Sequence, residues 1–255
     1  MDASQMKRYL EDLATKFNNS GFILHDPVSI PHRYNNPDDI EISGLLTATI
    51  AWGRRDLILK SADRLMGLMG NEPALFIKTA GEKEIEKLGN FVHRTFNGRD
   101  TVTFIRSLRN IYLEYGSLEA IVAEGLDKGS SMKDAIIHLH RVFFSLPHDH
   151  AVERHLSDVS KGSAGKKINM FFRWMIRNDN HGVDFGIWKS ISPSMLYIPL
   201  DLHAGNTARR LGLLTRKQND WKAVEELTSV LRMFDPEDPV KYDFALFGAG
   251  VNKEL

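Results

Sequence analysis

The chain has 255 residues, 42% of them hydrophobic, enough to bury a full core as one large domain or as two lobes. Its 33 basic and 33 acidic residues cancel, so no global positive field draws nucleic acid, and any such surface must be a local patch. The absence of cysteine excludes disulfides, thiolate zinc sites, cysteine-held iron–sulfur clusters and thiol catalysis, which leaves Lys, Asp, Glu, His and hydroxyls for chemistry.

The start of the chain carries Asp2, Glu11 and Asp12 and no continuous apolar stretch, so it reads as neither signal nor transit peptide and predicts a cytoplasmic location. No apolar run approaches the ~20 residues of a membrane-spanning helix, and the expectation is a soluble protein with no membrane partner. Apolar residues recur at helical spacing, as in Tyr9, Leu10, Leu13, Ala14 and Phe17, and again in Val224, Leu227, Val230, Leu231 and Phe234. That period predicts an all-α fold. In chain order, Asp38 with Glu41 resembles a capping box, and Gly53 is expected to end the helix it opens. Further helices are expected over 54–69, 102–115, 132–145, 166–177 and 203–211, with Asp238-Pro239 capping a last one. The stretches 26–37, 89–100 and 147–160 concentrate Gly, Pro, Asn and His and read as loops. No solenoid repeat or low-complexity tract is evident, and residues 1–255 read as one helical unit, divisible into two lobes.

The densest chemistry falls in residues 161–213. The turn Gly162-Ser163-Ala164-Gly165 opens onto Lys166 and Lys167, and backbone N–H groups at a helix start favour anions, so Lys161, Gly162, Ser163 and Gly165 are candidate phosphate contacts. Two adjacent lysines depress each other's pKa, and a depressed amine can act as a nucleophile. Helical neighbours point about 100° apart, so one of the two faces any given site, and counting from Gly165 favours Lys167. The plainer reading is a solvated first turn, although positive charge there opposes the helix dipole. Asp201, in Pro199-Leu200-Asp201-Leu202-His203, fits an N-cap, a catalytic carboxylate or both, and His203 could orient it.

Elsewhere Phe171, Phe172, Trp174 and Met175 form an aromatic stripe that reads mostly as core. The loop His148-Asp149-His150 with His155 has metal-ligating residue types but no convincingly spaced fourth ligand, so the expectation is a solvated turn, with no metal and no cofactor. Trp52-Gly53-Arg54-Arg55 reads either as a helix C-terminus with surface arginines or as a nucleic-acid contact, and Phe91 to Phe96, with His93 and Arg94, either lines a base pocket by stacking or packs on a neighbouring helix.

The order of glycine turn, lysine, helix, Asp-x-His and Arg-Arg-Leu-Gly-Leu resembles the helix-hairpin-helix DNA glycosylase superfamily, the endonuclease III-like enzymes of base excision repair. There a Leu-Pro-Gly-Val-Gly-x-Lys-like hairpin leads to Val-Asp-Thr-His and Arg-Leu-Gly; Leu200-Asp201-Leu202-His203 and Arg210-Leu211-Gly212 match well, and Ser163-Ala164-Gly165-Lys166-Lys167 in part. Over its whole length the chain is similar to an uncharacterised bacterial family, known only as a domain of unknown function and grouped with that fold. Asn90-Phe91-Val92-His93-Arg94-Thr95-Phe96, Asn169-Met170-Phe171-Phe172-Arg173-Trp174-Met175 and Asp243-Phe244-Ala245-Leu246-Phe247-Gly248 carry that likeness.

The resemblance implies a glycosylase-like all-α fold of two helical lobes around a cleft, duplex DNA with a damaged or modified base as partner, and base excision by a Lys167 or Lys166 nucleophile with Asp201 and His203. Trp52 would lie where such enzymes fill the hole left by a flipped base, and Arg54, Arg55, His93, Arg94, Lys161, Gly162, Ser163, Gly165, Arg173 and Arg209 would meet the nucleic acid. This sequence departs from the pattern in its longer Asn178 to Ser194 segment, its proline-free turn and its lack of cluster cysteines, so any activity is cluster-free. Two other readings stay open: a non-catalytic nucleic-acid-binding module of the same fold, and an enzyme acting on a small nucleoside-like ligand.

Overall fold

The computed structural model describes residues 1–252 and is all-helical, with no strand among the described residues beyond two isolated bridges. The α-helices are α1 Ala3–Phe17, α2 Ser20–Ile23, α3 Pro37–Ile50, α4 Arg55–Leu68, α5 Pro73–Thr79, α6 Glu82–Lys87 and α7 Gly98–Glu114. They continue with α8 Leu118–Lys128, α9 Met132–Phe143, α10 Lys166–Ile176, α11 Leu202–Arg210, α12 Trp221–Phe234 and α13 Tyr242–Asn252. The chain divides into two compact units, one made of His25–Asp158 and the other of Met1–Leu24 together with the chain from Val159 onward. No helix among the described residues is long and apolar enough to cross a membrane.

The continuous unit, residues 25–158, is built around α3, which is buried on every side from Ile40 to Ile50, the pattern of a central rather than a surface helix. Its start differs from the expected capping box. Asn36 is the N-cap and Pro37 the first helical residue, which leaves Glu41 inside the helix and nearly inaccessible. The Glu41 carboxylate accepts from the Tyr112 hydroxyl and, at 2.9 Å, from the Leu118 N–H, so it caps α8 from another helix. Burial, and then the Glu41 charge, raise the Tyr112 phenol far above its ordinary range. Phe96, Phe104 and Phe143 fill the interior edge to face, with centroids 5.2 and 4.8 Å apart. The expected helices 54–69, 102–115 and 132–145 appear with ends shifted by up to four residues, and α5, α6 and α8 were not anticipated.

In the discontinuous unit, α13 packs against both α1 and α11. Gly250 makes the second contact possible, because a Cβ there would lie 2.7 Å from the Thr207 hydroxyl. Helix α10 is fully buried from Ile168 to Ile176, and Phe171, Phe172 and Trp174 lie in the core as expected. The Asn178 to Ser194 segment contributes Val183, Trp188 and Ile191 to that core. Its Phe185 and Trp188 N–H groups satisfy the last carbonyls of α10, on Trp174 and Met175, at 2.8 and 2.9 Å. Asp238-Pro239 opens a short 3-10 turn, Pro239–Lys241, rather than an α-helix, because the Asp238 side chain is turned to Arg177 instead of capping.

Candidate functional site

The glycine turn of residues 162–165 follows a single 3-10 turn, Val159–Lys161, where a helix-hairpin-helix would place an α-helix. Gly165 is the N-cap of α10 and sits at φ 60°, in the left-handed region that favours glycine, and a Cβ there would press on Val159 at 3.0 Å. The Gly162 carbonyl accepts from the Trp221 N–H at 3.1 Å, and the Asn169 side chain donates to the Ala164 carbonyl at 3.3 Å. The turn is therefore pinned to α10 and α12 and aims Lys166 and Lys167 from a fixed start. Lys161, Gly162 and Ser163 are exposed on it.

The two lysines differ. Burial, and then the charge of Lys166, lower the Lys167 amine to about 8, within reach of neutrality at ordinary pH. Lys166 reaches Met170 Sδ at 3.3 Å, and its charge acts on the carboxyl of Asp243. Asp201 acts on the same carboxyl. The charges of Lys166 at the start of α10 and of Asp201 at the start of α11 thus both reach Asp243, in the first turn of α13. Asp201 is the N-cap of α11, its carboxylate accepting from the Ala204 N–H at 2.8 Å. His203 does not orient it; the imidazole is exposed and edge-on to Phe247, at 6.2 Å between centroids.

The same unit holds a buried ionic network. Arg173 and Arg177, one turn apart on α10, share Asp184 at 3.2 and 3.0 Å. Arg173 also donates to Asp243, and Arg177 pairs with Asp179 at 2.6 Å and Asp238 at 2.9 Å. Both guanidiniums lie over the Phe244 ring, at 4.2 and 5.5 Å. Two cations thus face four carboxylates, and burial pushes Asp243 up to about 6 in spite of Arg173. Arg173, expected among the nucleic-acid contacts, is corrected here: it is 3% exposed and saturated by carboxylates, so it has no surface to offer a phosphate. Arg209 is half-buried, bonded to the Arg216 carbonyl at 2.8 Å and to Asn219 at 2.5 Å. It borders an open pocket of about 530 Å³ shared with His203, Asn206, Thr207, Arg210 and Gly250.

The remaining predicted residues fall in the other unit and gather around Trp52. Its indole is edge-on to His93 at 5.3 Å and nearly parallel to His155, 23° between planes at 6.0 Å. His155 is held 3.2 Å from Asp100, and Arg154 lies beside it at 3.2 Å. His93 and Phe96 exchange both backbone hydrogen bonds around the two-residue turn Arg94-Thr95. Arg94 sits there at φ 55°, a strained conformation for a side-chain-bearing residue. Its guanidinium covers Gly53, where a Cβ would approach to 2.5 Å. Gly53 does not end α3, which stops at Ile50; it lies at φ 102° in the connection between α3 and α4. His93 is also corrected as a nucleic-acid contact, being 4% exposed, with Nδ1 bonded to the Ser61 hydroxyl at 2.8 Å and Nε2 buried without a hydrogen bond. Burial lowers its pKa, the Trp52 backbone pulling weakly the other way. Arg54 and Arg55 are exposed, Arg54 paired with Asp56 at 2.8 Å.

Sequence reasoning missed Asp243, Asp184 and His155 as partners of these clusters. Asp243 carried a signal, an acid at the head of an otherwise apolar helix, but nothing in the spacing joined it to Lys166 or Asp201.

Fold and site define an all-helical protein of two compact units, one in which the charges of a lysine and an aspartate at two helix starts act on a buried carboxyl at a third. The chain belongs to a family of proteins of unknown function, DUF2400, which it matches over residues 26–252. No curated protein and no solved structure matches it.

Proposed function

We infer that this protein acts on DNA in the manner of a base-excision glycosylase, with a lysine amine as nucleophile and Asp201 as its carboxylate partner. The observation that carries the reading is Lys167, a lysine in the first turn of α10 whose pKa burial lowers to about 8, in the same unit as Asp201, whose charge acts with that of Lys166 on the buried Asp243 carboxyl. In the reaction, the unprotonated amine attacks C1′ of the nucleotide, the bond from C1′ to the base breaks, and the base leaves with the electron pair and takes up a proton. Loss of the amine proton and opening of the sugar ring then give an imine. Asp201 stabilises the positive charge that develops on the sugar. Exposed Lys161, just before the Gly162 turn, is a candidate contact for the phosphate backbone.

Borohydride reduction of the protein with abasic or damaged duplex tests this. A covalent adduct that Lys167→Ala or Lys166→Ala abolishes supports the reading and names the nucleophile. Salt-sensitive DNA binding with no adduct and no released base points instead to the non-catalytic binding module. The pocket of about 530 Å³ beside Arg209 and Arg210 favours, as a second reading, a small anionic nucleoside-like ligand. That reading gains if the chain shows no affinity for DNA at low salt.

A further inference from the structure

The loop that ends α9 carries a cluster outside the lysine site. His148 and His150 converge on the carboxylate of Glu153, their ring nitrogens 3.0 and 2.7 Å from the same oxygen, Oε1. One ligand-capable atom from each of the three lies within 4.8 Å of the others. We propose that His148 Nε2, His150 Nδ1 and the Glu153 carboxylate form a binding site for a divalent transition-metal ion of the zinc class, with solvent completing the coordination.

The hydrogen bonding around His148 is the independent observation. Its Nδ1 lies 2.7 Å from the Leu146 carbonyl oxygen, so Nδ1 bears the proton and donates to it. Nε2 is then the nitrogen turned toward Glu153, 3.0 Å from its carboxylate Oε1. A metal ion can take the place of a proton between them, and a backbone carbonyl holding the far nitrogen of the ring is the usual outer support of a metal-ligating histidine. Tetrahedral coordination at about 2.0–2.1 Å places ligand atoms roughly 3.3 Å apart, close to the 3.0 and 2.7 Å that separate the two imidazole nitrogens from Glu153 Oε1.

The frame is otherwise built. Asp149 caps the 3-10 turn His150–His155 through the Ala151 N–H at 2.9 Å, and the His148 ring lies against Phe144 at 5.0 Å. His140, on the last turn of α9, is close enough for its charge to act on Glu153. His150 is exposed, so solvent has access to an open coordination position. Two imidazoles, one carboxylate and no thiolate make a donor set of borderline hardness, which suits zinc above calcium or magnesium.

The test is titration of the full, chelator-stripped chain with Zn²⁺ alone, followed by calorimetry and by thermal unfolding. One equivalent is expected to bind and to raise the melting temperature, and Co²⁺ in its place is expected to give the visible absorption of a four-coordinate ion. His150→Ala and Glu153→Gln should each weaken zinc binding on the order of 100-fold, whereas His181→Ala, an exposed histidine elsewhere, should not change it. Because His150 is exposed, its removal leaves the fold intact and the result readable. Absence of zinc uptake, as expected if His148 were simply an imidazolium bonded to Glu153, overturns the proposal. So does zinc affinity that His150→Ala leaves unaltered.

Discussion

Arg173 donates a hydrogen bond to Asp243 in the interior, yet the Asp243 carboxyl titrates near 6, above rather than below its ordinary value. Burial sets this direction, and Asp201 and Asp184 reinforce it, because Arg173 divides its charge among more carboxylates than it can neutralise. The folded state therefore holds a proton between about pH 4 and 6 that the unfolded chain has released. The stabilisation is full below the unfolded pKa and is lost as pH rises through about 6, a change on the order of 3 kcal/mol for a shift from 3.8 to about 6. Asp243→Asn should remove this limb. Urea midpoints at about pH 4 and about pH 7.5 measure it, and the difference between wild type and variant isolates Asp243 from the other acids.

Lys167 should behave as a reactive amine. Its unprotonated fraction rises through about pH 8, so acylation or reductive methylation at that position should climb with pH and level off above that value. Removing the neighbouring charge with Lys166→Ala should move the midpoint upward, since Lys166 is one of the two causes of the depression. NMR of reductively methylated protein reads both midpoints directly, and an unmoved midpoint would remove Lys166 from the account.

Asp201 separates capping from chemistry. Asp201→Asn keeps an oxygen for the Ala204 N–H and should leave stability within a few tenths of a kcal/mol, while Asp201→Ala should cost about 1 kcal/mol. If the carboxylate charge serves the reaction, both substitutions should abolish adduct formation. Survival of the adduct in the Asn variant would assign Asp201 to capping alone.

Gly53 and Arg94 should be energetically coupled. Gly53→Ala places a Cβ in the left-handed region and against the Arg94 guanidinium, and should destabilise by about 1–3 kcal/mol. Arg94→Gly relieves its own positive φ and vacates that space, so Gly53→Ala should cost less in its presence. Denaturant midpoints of the two single variants and the double variant close the cycle.

Much of the fold was legible because helical period and capping are local properties. The expected helices over residues 54–69, 166–177 and 203–211 match α4, α10 and α11 within a residue, since Asp201 caps and Gly165 breaks whatever lies around them. The capping box at Asp38 and Glu41 misled because a side chain three residues into a helix can reach either its own cap or another helix, and Glu41 reaches α8. Arg173 misled for a related reason. An arginine in sequence looks like a surface residue, but Arg173 on α10 and Arg177 at its C-cap point inward to acids recruited from residues 179, 184, 238 and 243.

The sequence by itself determined the helical class, the family and the position of the glycine turn, the lysines and Asp201, because period, caps and short motifs are written in neighbouring residues. Tertiary structure alone decided what those residues face. It brought Asp243 within reach of the charges of Lys166 and Asp201, paired Arg173 and Arg177 with buried carboxylates, and set His148 and His150 against Glu153. Burial and proximity between groups far apart in the chain shift charge and protonation, and no local pattern records either.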